Sequence, residues 1–97
     1  MIQEFYDQRT EDVFNGKNTR RGRNTLPSEL WKVAQRKLDW LNTAVSLYSL
    51  RVPPSNHLER LRDDRAGQHS IRINRQNRIC FVWTDEGPAR VEITDYH

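Results

Sequence analysis

One cysteine, Cys80, is the entire thiol content of this 97-residue chain, so no internal disulfide framework is available to it. Cys80 sits mid-strand between apolar neighbours and reads as a small core residue. A lone thiol fits a reducing compartment. The first residues, Met1-Ile2-Gln3-Glu4-Phe5, lack a basic-then-apolar leader pattern. A cytoplasmic location is therefore expected. No run of about 18 apolar residues occurs, so no membrane span is expected. The three histidines, His57, His69 and His97, lie far apart and no cysteine cluster exists, which leaves no metal-ligand spacing. No glycine-rich loop follows a strand in the manner of a phosphate-binding loop. No metal and no cofactor are expected. Internal repeats and low-complexity segments are also missing.

What is present is positive charge, unevenly placed. The length suggests one domain spanning 1–97, burying roughly 60–65% of its unfolded surface. The formal net charge is +3. Lys17, Arg20, Arg21 and Arg23 crowd one segment, while Arg60, Arg62, Arg65, Arg72, Arg75 and Arg78 populate the C-terminal half. The planar fork of arginine suits phosphate recognition, and a basic balance of this kind favours a nucleic-acid partner over an acidic or lipid-embedded one.

Residues 2–6 are compatible with a short strand and residues 9–14 with a turn or two of helix ending near Gly16. Residues 17–25 contain no apolar side chain and read as a mobile basic loop. The clearest helix begins near Pro27-Ser28-Glu29, a proline being tolerated in a first turn. Leu30, Val33, Ala34, Leu38, Leu41, Ala44 and Val45 then recur at helical spacing as one apolar stripe flanked by Trp31 and Trp40. Pro53-Pro54 ends this half. His57–Leu61 is a weak strand, and Asp63-Asp64-Arg65-Ala66-Gly67 a polar turn. Ile71 and Ile73 alternate with Ser70, Arg72 and Asn74. Ile79, Phe81 and Trp83 alternate with Arg78, Cys80 and Val82. Asp85-Glu86-Gly87-Pro88 turns the chain, and Val91 and Ile93 alternate with Arg90, Glu92 and Thr94. Period-two alternation means a sheet with one face on a core. The fold class is α+β: N-terminal helices packed against a small antiparallel sheet. His69 reads as an exposed turn or strand-edge residue.

RNA needs little help to be cut, because its own 2′-hydroxyl can attack the adjacent phosphorus. A protein then has to remove the hydroxyl proton, neutralise charge growing on the phosphate oxygens and protonate the leaving 5′-oxygen. The two proton steps suit His or Tyr, and the charge suits Arg. No metal is required. Asp95-Tyr96-His97 supply candidates for the first role, Arg78 and Arg62 for the second. The same residues have bland explanations. Arg78 can be a strand arginine paired with Glu92 or Asp95, Tyr96 a packing ring, and Asp95 an orienting acid.

Several stretches together are similar to the HigB branch of the RelE/ParE toxin superfamily: Leu61–Gly67, Ser70–Asn74, Arg78-Ile79-Cys80-Phe81 with Trp83, and Asp95-Tyr96-His97, preceded by Pro53–Glu59 and by Arg36–Asp39 with Leu41–Ala44. The resemblance covers most of the chain and is specific in the last forty residues. It implies a RelE-like toxin fold and the toxin of a type II toxin–antitoxin pair, a ribosome-dependent mRNA endonuclease that stops translation. It further implies a HigA-like helix-turn-helix antitoxin as partner, contact with ribosome and mRNA, and operator DNA reached only through the antitoxin. Carried over by position, the resemblance makes Arg78 a phosphate-contacting arginine. It makes Tyr96 and His97 the terminal Tyr-His pair and Asp95 the acid before them, with the proton chemistry on His97 and Asp95. From their residue type, Arg60, Arg62, Arg65, Arg72 and Arg75 are the candidate RNA- or phosphate-binding cations. Arg62 stands where many relatives carry lysine. Arginine holds a phosphate but cannot act as a base, so a milder enzyme is implied. Two alternatives stay open: a toxin of this fold acting on DNA gyrase, as the ParE branch does, and a weakly active RNA- or antitoxin-binding module.

Overall fold

The computed structural model describes residues 1–95. Three α-helices precede a four-stranded antiparallel sheet: α1 (Gln8–Asn15), α2 (Arg20–Thr25), α3 (Trp31–Thr43), β1 (Glu59–Arg60), β2 (His69–Arg72), β3 (Arg78–Thr84) and β4 (Gly87–Thr94). The strands lie in chain order, β1-β2-β3-β4. This is the α+β arrangement expected from the alternating apolar positions. No described helix is long and apolar enough to cross a membrane.

Helix α1 starts where the Asp7 carboxylate accepts the Thr10 N–H at 2.9 Å and stops at Gly16 in the left-handed region. Its Thr10 hydroxyl accepts the Ile93 N–H at 3.0 Å, which ties α1 to β4. Along α3 the buried residues are Ala34, Lys37, Leu38 and Leu41, the i, i+3, i+4, i+7 pattern of a helix face on a core. Leu38, Leu41, Ile71, Ile79, Phe81, Val91 and Ile93 join Val13, Leu26 and Leu50 in one apolar cluster. Burying a side chain of this size stabilises the fold by roughly 1.5–3 kcal/mol. Trp31 and Trp40 pack against the cluster.

Four expectations need correction. Residues 17–25 are not simply a loop, since Arg20–Thr25 form α2. The Thr19 hydroxyl caps that helix by accepting the Gly22 N–H at 3.1 Å. Gly22 is buried beneath Trp31, where an added Cβ would lie 3.0 Å from the indole, and the Trp31 N–H is fixed on the Leu26 carbonyl at 2.8 Å. Second, α3 ends at Thr43, two residues short of the end of the apolar stripe, leaving Val45 92% exposed. Third, the N-terminal segment is a single parallel bridge, Phe5 with Val91, beside β4. Last, Gly87 and Pro88 begin β4 instead of completing the turn. Gly87 is required there, because its φ is +125° and a Cβ would meet the Met1 carbonyl at 2.5 Å.

Candidate functional site

The pleat sends one row of sheet side chains into the core and the other to the opposite face. On that second face Ser70, Cys80 and Glu92 lie side by side across β2, β3 and β4, and one step further Arg72, Arg78 and Thr94 do the same. The candidate site is this polar face. Arg72 and Arg78 are therefore direct cross-strand neighbours. Like charges so placed repel, at a cost within about 0.2–1 kcal/mol. Among the described residues neither is paired with a carboxylate.

Arg78 is held by the β2–β3 turn. Its Nη1 donates to the Asn74 carbonyl at 2.7 Å. The Asn74 side chain in turn accepts the N–H groups of Gln76 at 3.0 Å and Asn77 at 2.7 Å, so the turn that carries the acceptor is itself braced. Among the described residues Arg78 forms no ion pair with Glu92 or Asp95. Glu92 takes Arg65 instead, at 3.2 Å, and Asp95 accepts from the Gln76 amide at 2.7 Å. Arg72 buries its Nε with no hydrogen-bond partner among the described residues. An unmet buried donor of this kind is costly unless a ligand meets it.

The other predicted cations are more dispersed. Arg65 is committed to Glu92 and to the Gln68 side chain. Arg60 and Arg62 are exposed and line a groove of about 760 Å³ with Asp63 and Asp64. Arg75 is exposed at the β2–β3 turn. Tyr96 and His97 lie outside the described residues.

Cys80 is buried, but on the polar face rather than in the apolar cluster. Burial pushes its thiol up to about 11, with Arg65, Glu92 and Arg78 near enough to act on it. It is a neutral thiol at ordinary pH and no nucleophile. His69 opens β2 but is half-buried instead of exposed. It pairs with Arg60 on one side and Phe81 on the other, and its ring stacks on Phe81 at 6.2 Å. Burial, followed by the Arg60 charge, lowers its pKa, which favours the neutral ring.

Two residues that sequence patterns did not single out border the same face. Tyr6 and Arg90 line a cleft of about 330 Å³ with Asp64, Arg65, Gln68 and Glu92. The only signal in the sequence was an aromatic residue in a polar N-terminal segment, which carries no address.

Comparison with known proteins bears on the family and the fold. A family model described as "RelE-like toxin of type II toxin-antitoxin system HigB" matches residues 3–97. Toxin HigB-1 of Vibrio cholerae serotype O1 is 35% identical over 85 residues, covering 88% of this chain and 86% of that protein. An uncharacterized protein of Haemophilus influenzae is 43% identical over 58 residues, 60% of this chain and 57% of its own length. The YoeB-YefM complex from Staphylococcus aureus contains a chain of similar fold, with a TM-score of 0.61 at 18% identity, covering all of this chain and 95% of that one. This chain belongs to the HigB family of RelE-like toxins of type II toxin–antitoxin systems.

Proposed function

We propose that this toxin is a ribosome-dependent mRNA endonuclease that cuts by attack of the RNA 2′-hydroxyl on the adjacent phosphorus. The observation that carries the reading is the Arg72–Arg78 cross-strand pair, two guanidinium groups without a carboxylate partner among the described residues on a polar sheet face. A phosphodiester placed there relieves their repulsion. Charge builds on the phosphate oxygens as the 2′-oxygen bonds to phosphorus, and preorganised arginines stabilise that charge more than they stabilise the ground state. The nucleophile belongs to the substrate, so the protein supplies only charge and proton transfer.

His97 and Tyr96 are assigned the proton steps from their residue type and sequence position. One accepts the 2′-hydroxyl proton, and the other gives a proton to the 5′-oxygen as the P–O bond breaks. Asp95, bonded to Gln76, orients its neighbours. Arg62 contributes charge in the groove it lines with Arg60 but no base, which favours low intrinsic activity.

A type II toxin works against an antitoxin partner. Here that partner is proposed to be a HigA-like helix-turn-helix protein, through which the pair meets operator DNA. The test is primer extension on a translated message after induction of the toxin alone. Cuts within codons at the ribosomal A site, abolished by co-expression of the antitoxin, are expected. Arrested replication with intact mRNA would support action on gyrase, and binding without cutting would support an inactive module.

A further inference from the structure

Strand β4 carries one more residue than β3 opposite Phe81: Cys80 pairs with Glu92, yet Val82 pairs with Ala89. The extra residue is accommodated at Arg90, whose φ is +52°. A bulge of this kind re-aims a side chain, and an arginine gains nothing intrinsic from the left-handed region. The re-aimed guanidinium lies over the Tyr6 ring, 5.6 Å from its centroid. The backbone of Tyr6 is fixed, its N–H donating to the Val91 carbonyl at 2.9 Å, while its side chain remains exposed. Arg90 has no carboxylate partner among the described residues.

The cleft beside this pair is walled by the Arg65–Glu92 ion pair and by Asp64. It lies along β4 from the phosphate-facing cations. Thr94, the partner of Arg78, is four residues from Arg90, or about 13 Å at the usual rise of a strand. A strand of RNA held at Arg78 and running along β4 would bring a neighbouring nucleotide to this cleft. Two carboxylates make the cleft a poor place for phosphate. An aromatic ring, a guanidinium plane and carboxylate acceptors are what a nucleobase needs for stacking and for its N–H edge. We propose that Tyr6 and Arg90 form a stacking subsite for a nucleobase flanking the scissile phosphate. This rests on the RNA-cleaving reading above.

The test uses an mRNA on programmed ribosomes, blocked by a 2′-O-methyl group at the cut position and carrying 2-aminopurine at a flanking position. Stacking quenches that base. The wild type and Tyr6→Phe should bind and quench alike, whereas Tyr6→Ala should lose the quench and bind about tenfold more weakly. Arg90→Gly suits the positive φ, so its melting temperature should hold or rise while binding falls. Wild-type binding and quench in both Tyr6→Ala and Arg90→Gly overturn the subsite, as does a fall in melting temperature with RNA binding intact. Cleavage of an unblocked message separates the two readings. Wild-type toxin that cuts, with Tyr6→Ala cutting at the same rate and positions, removes the subsite and leaves the nuclease. Wild-type toxin that never cuts, with a Tyr6-dependent quench, removes the nuclease and leaves the subsite.

Discussion

The Asp12 carboxylate, fully buried in α1, accepts the Nε–H of Arg21 in α2 at 2.6 Å, while the Arg21 side chain remains 56% exposed. The same carboxylate takes the Thr19 hydroxyl at 2.7 Å and the Gln8 amide at 3.0 Å. One acid thus fixes both the cap of the basic helix and one of its arginines.

Replacing this acid tests how α2 is held. The hydrogen bond from Arg21, then those from Thr19 and Gln8, hold the Asp12 carboxyl well below its ordinary value of 3.8. A carboxyl whose pKa is lowered by folding contributes stability that is complete above its unfolded pKa and lost as pH falls through the folded one. Asp12→Asn should therefore lower the melting temperature at neutral pH, and the gap from wild type should begin to narrow below about pH 4 and go on narrowing as the pH falls further. Amide exchange should quicken at Arg23 and Leu26, whose N–H groups bond back to Thr19 and Gly22. Unchanged protection there would mean that α2 does not depend on Asp12.

Helix α2 is not legible in the sequence. Strand alternation placed Ile71, Ile79, Phe81, Val91 and Ile93 in the core, because burial of an apolar row is a local pattern. Nothing local marks α2, which has no apolar residue. It exists through a buried carboxylate from the preceding helix, a glycine under Trp31 and a threonine cap. The site divided in the same way. Arg78 was legible as a strand arginine within a family pattern. The choice of Arg65 by Glu92, and the meeting of Tyr6 with Arg90 from opposite ends of the chain, depend on register and on a bulge that no residue type announces.

Asn56 should prove costly to remove. It is fully buried. Its Oδ1 accepts from the Lys37 ammonium at 3.0 Å and its Nδ2 donates to the Leu50 carbonyl at 3.1 Å. Burial, then the charges of Arg36 and Arg72, lowers the Lys37 pKa. The charged form is thus already disfavoured. That penalty is full below the lowered pKa and vanishes as pH rises to the ordinary 10.5. Asn56→Ala should destabilise by about 1–3 kcal/mol at neutral pH. The loss should shrink at alkaline pH, and Lys37→Met in the same background should recover part of it. Chemical denaturation across pH measures all three. Additive effects of the two substitutions would show that Asn56 and Lys37 are not coupled.

His97 carries the proposed proton role, so His97→Gln should slow single-turnover cleavage strongly with little change in melting temperature. The informative readout is the pH–rate profile. An imidazole acting as acid or base places a limb near its own pKa, and that limb should disappear in His97→Gln. If the limb persists in a folded His97→Gln protein, the titrating group is another one, with Tyr96 and Asp95 next in line.

Arg78→Ala should remove most toxicity and leave the fold intact. The side chain lies on the polar face and donates to the Asn74 carbonyl, while the Ile79 and Phe81 side chains beside it fill the core. Truncation deletes one cation of a repelling pair, so stability should hold or rise slightly. The loss should fall on the rate. A charge-assisted contact made more strongly in the transition state is worth roughly 2–4 kcal/mol, or about 30- to 1000-fold. Arg78→Lys keeps the charge but loses the two-pronged geometry, and should recover only part of that rate. Arg72→Ala should weaken RNA binding and cleavage together, because Arg72 stands beside Arg78 across the strands. Single-turnover cleavage on programmed ribosomes, with thermal melts as control, separates these effects. A folded Arg78→Ala protein that cuts at the wild-type rate would take the polar sheet face out of the reaction and move the search to the Arg60–Arg62 groove.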